Sequence, residues 1–254
     1  MRTTDFHYDL PDNLIASRPL RDRAASRMMV INRKKETISH HHFREFPDLL
    51  PPDHLLVLND TRVIPARVFS NDRKIELVRT DALDPSNWWC LVRPGKKMKP
   101  GRTIKVGSST GTVIETNDKG ERLIRWDNPP DLDKVGQLAL PHYMEREPEK
   151  ADRERYQTVY AKEDGAIAAP TAGLHFTPEL LAGLDHAFLT LHVGVGTFRP
   201  VKAEDPREHD MHSERYSLNA DAASRMNSAP KIAAVGTTVT RVLEHLARDG
   251  QPFS

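Results

Sequence analysis

Between Ile75 and Trp126 the sequence sets five β-type runs in succession: Ile75–Arg79, Trp88–Val92, Thr103–Val106, Thr112–Glu115 and Arg122–Trp126. Turn clusters of Pro, Gly, Asn, Asp and Ser separate them, and no helical period intervenes. Strands so spaced bury a shared face by closing on one another as a small antiparallel barrel or sandwich. On either side, strands and helices alternate. Met28–Asn32 reads as a strand with Ile38–His42 as its hairpin partner, and the apolar run Leu55–Leu58 as a fully buried strand. After Tyr156 come a helix over Pro178–Leu184 capped by Thr177, a buried strand Ala187–Val193 and a helix Asn219–Ser228 with Asn219 as its cap. A strand Lys231–Val235 and a helix from Gly236 to about Ala247 follow. A short helix is also expected after Pro11, through Leu14 and Ala16. The expected fold is therefore a mixed-sheet α/β domain, residues 1–67 plus 150–254, interrupted by an inserted small antiparallel β-barrel domain, residues 68–149.

A chain of 254 residues is long enough for two modest cores. No apolar run approaches the ~20 residues of a membrane helix, and Met1–Phe6 has no signal-peptide core. Cys90 is the sole cysteine, which excludes an intrachain disulfide and a thiolate metal cluster. The expectation is a cytoplasmic monomer with no membrane association. The formal net charge of +1 says nothing for or against a nucleic acid, so the distribution of charge carries that question. Arg93, Lys96, Lys97, Lys99, Arg102 and Lys105 form a stripe without a carboxylate. It reads either as a phosphate-tracking surface or as a solvated hairpin turning at Pro94-Gly95 and Pro100-Gly101.

Polar chemistry gathers where strands are expected to end. Asn59, Asp60, Thr61 and Arg62 follow the buried run Leu55–Leu58; Asp60 there is a base or a turn residue paired with Arg62. Thr171, Ala172, Gly173, Leu174, His175 and Phe176 form a small-residue loop ending in an imidazole, with Gly173 free to take positive φ. His192, Gly194, Gly196, Thr197 and Arg199 lie after Ala187–Val193, outside the carboxyl end of a strand, where open α/β sheets hold ligands. Gly194-Val195-Gly196 lacks the third glycine and the helix of a dinucleotide fingerprint, so a Rossmann cofactor is rejected. Gly236, Thr237 and Thr238 open a helix whose free N–H groups suit a carboxylate or phosphate. His209-x-x-His212, with Glu214 beyond it and His40–His42 elsewhere, raises a metal reading. Adjacent strand histidines point to opposite faces, which works against it.

Longer blocks are more specific than any of these loops. Leu56–Val68 (LVLNDTRVIPARV), Arg93–Gly101 (RPGKKMKPG), Tyr156–Tyr160 (YQTVY), Ala169–Thr177 (APTAGLHFT), Leu191–Val201 (LHVGVGTFRPV), His209–Glu214 (HDMHSE) and Val235–Glu244 (VGTTVTRVLE) resemble successive signature blocks of the S-adenosylmethionine:tRNA ribosyltransferase-isomerase family. The opening Phe6–Arg27 is similar too, and the blocks keep the family's order over almost the whole chain.

The resemblance implies an α/β domain carrying an inserted β-barrel, and a reaction that consumes S-adenosylmethionine as co-substrate without a metal or other cofactor. Its sulfonium acidifies the neighbouring ribosyl methylene. Proton removal starts a rearrangement that joins the ribosyl fragment to the exocyclic amine of 7-aminomethyl-7-deazaguanine at the tRNA wobble position. Adenine and methionine leave, giving epoxyqueuosine-tRNA. Such chemistry needs a base, a proton donor for adenine, and groups that hold the methionine end. Asp60, His175, His192, His212 and Glu214 are the titratable candidates. Arg62, Arg67 and Arg199 are candidates for carboxylate or phosphate, and Arg93, Lys96, Lys97, Lys99 and Arg102 for RNA. The sequence does not distribute the roles; a pocket between the two domains is expected, with His175 at its centre. Family members ordinarily continue past the equivalent of Ser254, so the alternative expectation is a shortened relative that binds tRNA without catalysis. The histidines also admit a metallohydrolase. An ordinary methyltransferase is disfavoured, because no glycine-rich loop follows a first strand.

Overall fold

The computed structural model describes all residues except Arg199, Pro200, Asp210, Asp249, Gln251 and Ser254, and omits the side chains of His142 and Phe198. The contacts divide the chain into two units: Met1–Val63, His142–Arg146 and Lys150–Ser254 form one, and Ile64–Pro141 with Glu147–Glu149 the other.

The first unit begins with an antiparallel ribbon, β1 (Arg27–Asn32) and β2 (Thr37–His42), in the register Ile31↔Ile38 and Met29↔His40. A short α1 (Phe46–Leu49) leads to β3 (His54–Asn59), where Leu55 to Asn59 are all buried, and then to β4 (Thr61–Val63). The helix expected after Pro11 is only a 3₁₀ turn, Asp12–Leu14, with no buried residue to anchor it.

The second unit holds β5 (Arg67–Phe69), β6 (Glu76–Asp84), β7 (Asn87–Arg93), β8 (Thr103–Val106), β9 (Ser109–Thr116), β10 (Arg122–Trp126) and a one-turn α2 (Leu132–Val135). The sheet is antiparallel throughout and ordered β5-β6-β7-β10-β9-β8. Its ends nearly close: Asn71 N–H donates to the Lys105 carbonyl at 2.9 Å, and Asn71 Oδ1 accepts from Gly107 N at 2.7 Å. Alternation sends Ile104, Val106, Val113, Ile124 and Trp126 inward onto Leu77 and Trp88, at roughly 1.5–3 kcal/mol per large side chain buried. One expectation fails here. The basic segment is not a hairpin, because β7 pairs with β6 and β10 while β8 lies at the far edge on β9. Residues 94–102 instead cross between strands that are not neighbours. Arg122 pins the crossing through Nε to the Met98 carbonyl at 3.1 Å and Nη2 to the Gly95 carbonyl at 2.9 Å. Cys90 is buried, and burial pushes its thiol far up, which leaves it inert.

The chain then returns to the first unit through α3 (Asp152–Arg155), β11 (Glu163–Ala166), α4 (Pro178–Ala182), β12 (His186–Leu191), β13 (Tyr216–Ser217), α5 (Ala220–Ser228), β14 (Lys231–Ala234) and α6 (Gly236–Ala247). Thr177 accepts from Leu180 N at the start of α4, and Asn219 from Ala222 N at the start of α5. The principal sheet is β13-β12-β3-β14, with β12 and β14 parallel to β3 and β13 antiparallel at the edge. A central strand between parallel neighbours is covered on both faces, hence the unbroken apolar run Leu55–Leu58. Leu56, Leu58, Phe43, Phe176 and Leu181 form the core beside it. The fold is thus mixed α/β with a near-closed six-stranded antiparallel barrel-like sheet. Among the described residues no helix is long and apolar enough to cross a membrane.

Candidate functional site

Because β3, β12 and β14 run parallel, their carboxyl ends share one edge of the sheet. Asn59–Thr61, Leu191–Val193 and Val235–Gly236 leave from that edge. Asn59 joins the first two. Its Oδ1 accepts from Leu191 N at 3.0 Å and Thr61 N at 3.1 Å, while Nδ2 donates to the Leu191 carbonyl at 2.9 Å. The side chain continues the ladder where the main chain diverges. Asn59 and Thr61 are fully buried, and the Asn59 hydrogen bonds hold the two departing segments together.

Asp60 follows with its carboxylate nearly buried. Thr190 Oγ1 donates to its Oδ1 at 2.6 Å. Burial raises the Asp60 pKa above its ordinary range; the Thr190 hydrogen bond opposes this, and nearby Glu163 adds to it. Thr61 Oγ1 and His192 Nδ1 are 2.8 Å apart. Burial lowers the His192 pKa, partly offset by Asp60, Glu163 and Asp164, which favours the neutral ring. Gly165, on β11 beside β4, backs this imidazole: a Cβ there would stand 2.7 Å from His192 Nδ1. Tyr160 lies near the same carboxylate, its phenol pushed well up by burial first and by Asp60 second. A buried acid, a neutral imidazole and a protonated phenol make a proton-handling cluster.

A second group surrounds Glu214. Its Oε1 accepts from Gly194 N at 2.9 Å, its Oε2 pairs with Arg241 Nη1, and Arg241 Nη2 donates to the His212 carbonyl at 2.8 Å. Arg241 sits on α6, so one guanidinium ties the helix to residues 212–214 and, through Glu214, to Gly194. Gly196 lies against the His212 ring. At the start of α6 no side chain among the described residues caps the free N–H groups, and Thr238 Oγ1 is buried without a hydrogen-bond partner among them. Thr237 is exposed there, and Gly236, at φ +83°, approaches Ala172.

The loop Thr171–His175 is a 3₁₀ turn. His175 is half-buried with its ring 5.3 Å from that of Phe43. Burial, then the positive Arg155 and Arg23, lower its pKa, while the Arg23 carbonyl opposes them. Two expectations are corrected. Gly173 does not adopt positive φ; it is small because a Cβ would run into the Tyr160 hydroxyl. Phe176 is a core residue, 1% exposed and edge-on to Phe43 at 4.9 Å, so it does not face a ligand.

Other candidates are placed elsewhere. Arg62 is exposed, donating to the Ala161 carbonyl at 2.8 Å and lying 3.6 Å from Asp164, rather than pairing with Asp60. Arg67 belongs to the second unit, where Glu76 and Glu147 engage its guanidinium. Leu174 is partly buried and Thr197 exposed. Arg199 lies outside the described residues. Arg93, Lys96, Lys97, Lys99 and Arg102 are all exposed on or next to the crossing segment. His41 is engaged by Glu45 at 2.9 Å and Ser39 at 3.0 Å, while His40 and His42 point away from it. Among the described residues no three His, Cys, Asp or Glu side chains group as metal ligands. A cavity of about 290 Å³ opens at the opposite, N-terminal end of β12, near Asp185, Phe188 and Arg225; none of the candidates lines it. Sequence reasoning missed Thr190, Tyr160, Gly165 and Arg241. Only Tyr160 and Arg241 fell within the signature blocks, with nothing there to mark their partners.

Comparison with known proteins identifies the family. A family model described as queuosine biosynthesis protein matches residues 3–254. The S-adenosylmethionine:tRNA ribosyltransferase-isomerase of Thermosynechococcus vestitus is 46% identical over 272 residues, which cover 98% of this chain and 75% of that one. Its counterpart in Solibacter usitatus is 43% identical over 282 residues, covering 98% and 80%. A crystal structure of S-adenosylmethionine tRNA ribosyltransferase from Thermotoga maritima is 32% identical, with a TM-score of 0.45 and coverage of 97% and 74%. The chain belongs to the queuosine biosynthesis family of S-adenosylmethionine:tRNA ribosyltransferase-isomerases, a family of enzymes.

Proposed function

We propose that the chain transfers and isomerises the ribosyl moiety of S-adenosylmethionine onto 7-aminomethyl-7-deazaguanine in the wobble position of tRNA. The products are epoxyqueuosine-tRNA, adenine and methionine. The observation that carries the reading is the Asp60 cluster at the carboxyl edge of the sheet. A desolvated carboxylate with a raised pKa is a stronger base once ionised, which suits removal of a proton from the methylene beside the sulfonium. His192 and His175, held neutral, accept or donate protons without a standing charge, and one of them serves the departing adenine. The uncapped start of α6, with Thr237 and Thr238, suits the methionine carboxylate. Glu214 suits its ammonium, and His212 stands beside it. S-adenosylmethionine is consumed, so the reading calls for no resident cofactor and no metal. The barrel-like unit is read as an insertion into the α/β unit, and a monomer in the cytoplasm, where tRNA is found, completes the proposal.

The wobble base must leave its stack to be modified, and a cationic surface would hold the surrounding phosphates. Lys96, Lys97 and Lys99 are exposed and have no ion-pair partner among the described residues. Charge reversal at Lys96 and Lys97 should weaken tRNA binding and flatten its salt dependence; an unchanged slope makes the stripe ordinary solvated surface. The decisive experiment is mass spectrometry of tRNA bearing the aminomethyl base after incubation with S-adenosylmethionine. A ribosyl-derived mass gain with release of adenine and methionine is expected. Methylation, or unchanged tRNA, would refute the reading.

A further inference from the structure

The β1–β2 ribbon has two unlike faces. Met28 packs against the core of the first unit, Val30 is half-buried, and His41, on the same side, is fixed by Glu45 and Ser39. The opposite face carries Met29, Ile31 and Ile38, which are 57%, 62% and 63% exposed. The register sets Ile31 across from Ile38, Met29 across from His40 and Arg27 across from His42. Solvent-facing strand positions are usually polar, so three adjacent exposed aliphatic side chains set this face apart from an ordinary solvated strand.

Charge identifies the cover. The ribbon segment from Arg27 to His42 has four basic side chains, Arg27, Arg33, Lys34 and Lys35, and a single acidic one, Glu36. Three of the four crowd the turn, and none of the four has an ion-pair partner among the described residues. Glu45, the carboxylate nearest the outer histidines, is held by His41 and by the backbone N–H of His42. Six residues per strand at ~3.3 Å rise and two strands ~4.8 Å apart give a face of roughly 200 Å². A stable protein dimer needs about 800 Å² per partner, and a second copy would bring cations to cations. An apolar strip with imidazoles along it and cations at its tip matches unpaired nucleotides, whose bases stack and whose phosphates are anionic.

We propose that the outward face of this ribbon is a second RNA-contacting surface, in addition to the basic segment of the barrel-like unit. It takes unpaired nucleotides, with bases against Ile31, Ile38 and His40 and phosphates at Lys34 and Lys35. This rests on the reading that tRNA is the substrate. The test is fluorescence anisotropy of the full chain with an unmodified tRNA transcript carrying guanosine at the wobble position, and with a duplex RNA as control. Met29→Ser/Ile31→Ser/Ile38→Ser should weaken tRNA binding roughly ten-fold and leave duplex binding unchanged. Lys34→Ala/Lys35→Ala should lower the salt-dependence slope by about 1.5. All five positions are exposed, so circular dichroism should show native folding, and the turn variant tests the surface even if the apolar variant does not fold. Wild-type affinity in both variants overturns the ribbon proposal alone. Equal loss on duplex overturns the preference for unpaired nucleotides. Loss of self-association with unchanged tRNA affinity makes the face a protein contact and overturns it. A wild-type chain that binds neither this transcript nor tRNA bearing the aminomethyl base overturns both this and the reading beneath it.

Discussion

The Thr190 hydroxyl donates a 2.6 Å hydrogen bond to the Asp60 carboxylate, from β12 to the residue that follows β3. Burial raises the Asp60 pKa and this bond restrains the rise. Thr190→Val should therefore raise it further and move the acidic limb of the pH–rate profile to higher pH. Linkage gives a second expectation. A carboxyl whose folded pKa exceeds its unfolded value, near 3.8, stabilises fully below the unfolded pKa and loses that contribution as pH rises through the folded one. Asp60→Asn should thus keep or raise Tm at pH 7 while abolishing turnover. Turnover that survives would remove Asp60 from the proposed chemistry.

His175 is expected to work as a neutral imidazole. Its folded pKa lies below 6.5, through burial first and then Arg155 and Arg23. A depressed histidine stabilises the fold above the unfolded pKa, and that contribution is lost as pH falls through the folded value. His175→Gln should accordingly lose less Tm than the wild type between pH 7 and pH 5. As a proton-transfer group, its replacement by alanine should cut turnover more than ~10²-fold. Near-normal turnover, with only the pH dependence of Tm altered, would make His175 a packing residue.

What was legible in the sequence was local. Leu55–Leu58 announced a strand buried on both faces, Thr177 and Asn219 announced helix starts, and the alternation in Thr103–Val106 announced an inward and an outward side. What was not legible depends on distant partners. Nothing in Arg122–Trp126 says that this strand lies between β7 and β9, and without that order residues 94–102 looked like a hairpin. For Phe176 a signature block gives residue identity without orientation; in the fold it packs on Phe43 and Phe46. Gly173 signalled close approach, and the neighbour it admits is Tyr160.

The barrel-like core should be sensitive to loss of volume. Ile124 has no exposed surface and packs among the residues around Trp88 and Trp126, whose rings lie 5.4 Å apart. Ile124→Ala removes buried methyl and methylene groups and leaves a cavity, at a cost of about 2–5 kcal/mol. Chemical denaturation followed by tryptophan fluorescence reads this directly, since Trp88 and Trp126 both lie in that core. A change below about 1 kcal/mol would show that the sheet relaxes around the site.

Arg241 should act as a positioning residue through Glu214. Its fork holds Glu214 Oε2 and, at 2.8 Å, the His212 carbonyl, while Glu214 Oε1 receives the Gly194 N–H. The Glu214 side chain is 12% exposed and that of Arg241 is 38% exposed. Arg241→Ala would leave a mostly buried carboxylate with Gly194 N–H as its one donor among the described residues. Solvent reaching the arginine side moderates the penalty to about 1–2 kcal/mol. Arg241→Lys keeps the charge but loses the planar fork, so it can satisfy Glu214 or the carbonyl and not both in the same geometry. If Glu214 holds the methionine end of S-adenosylmethionine, Arg241→Ala should raise KM for it at least ~10-fold, with a smaller change in kcat. Arg241→Lys should fall between the alanine variant and wild type. A purely structural arginine would lower Tm in both variants and leave KM and kcat unmoved, and that result would detach Glu214 from substrate binding.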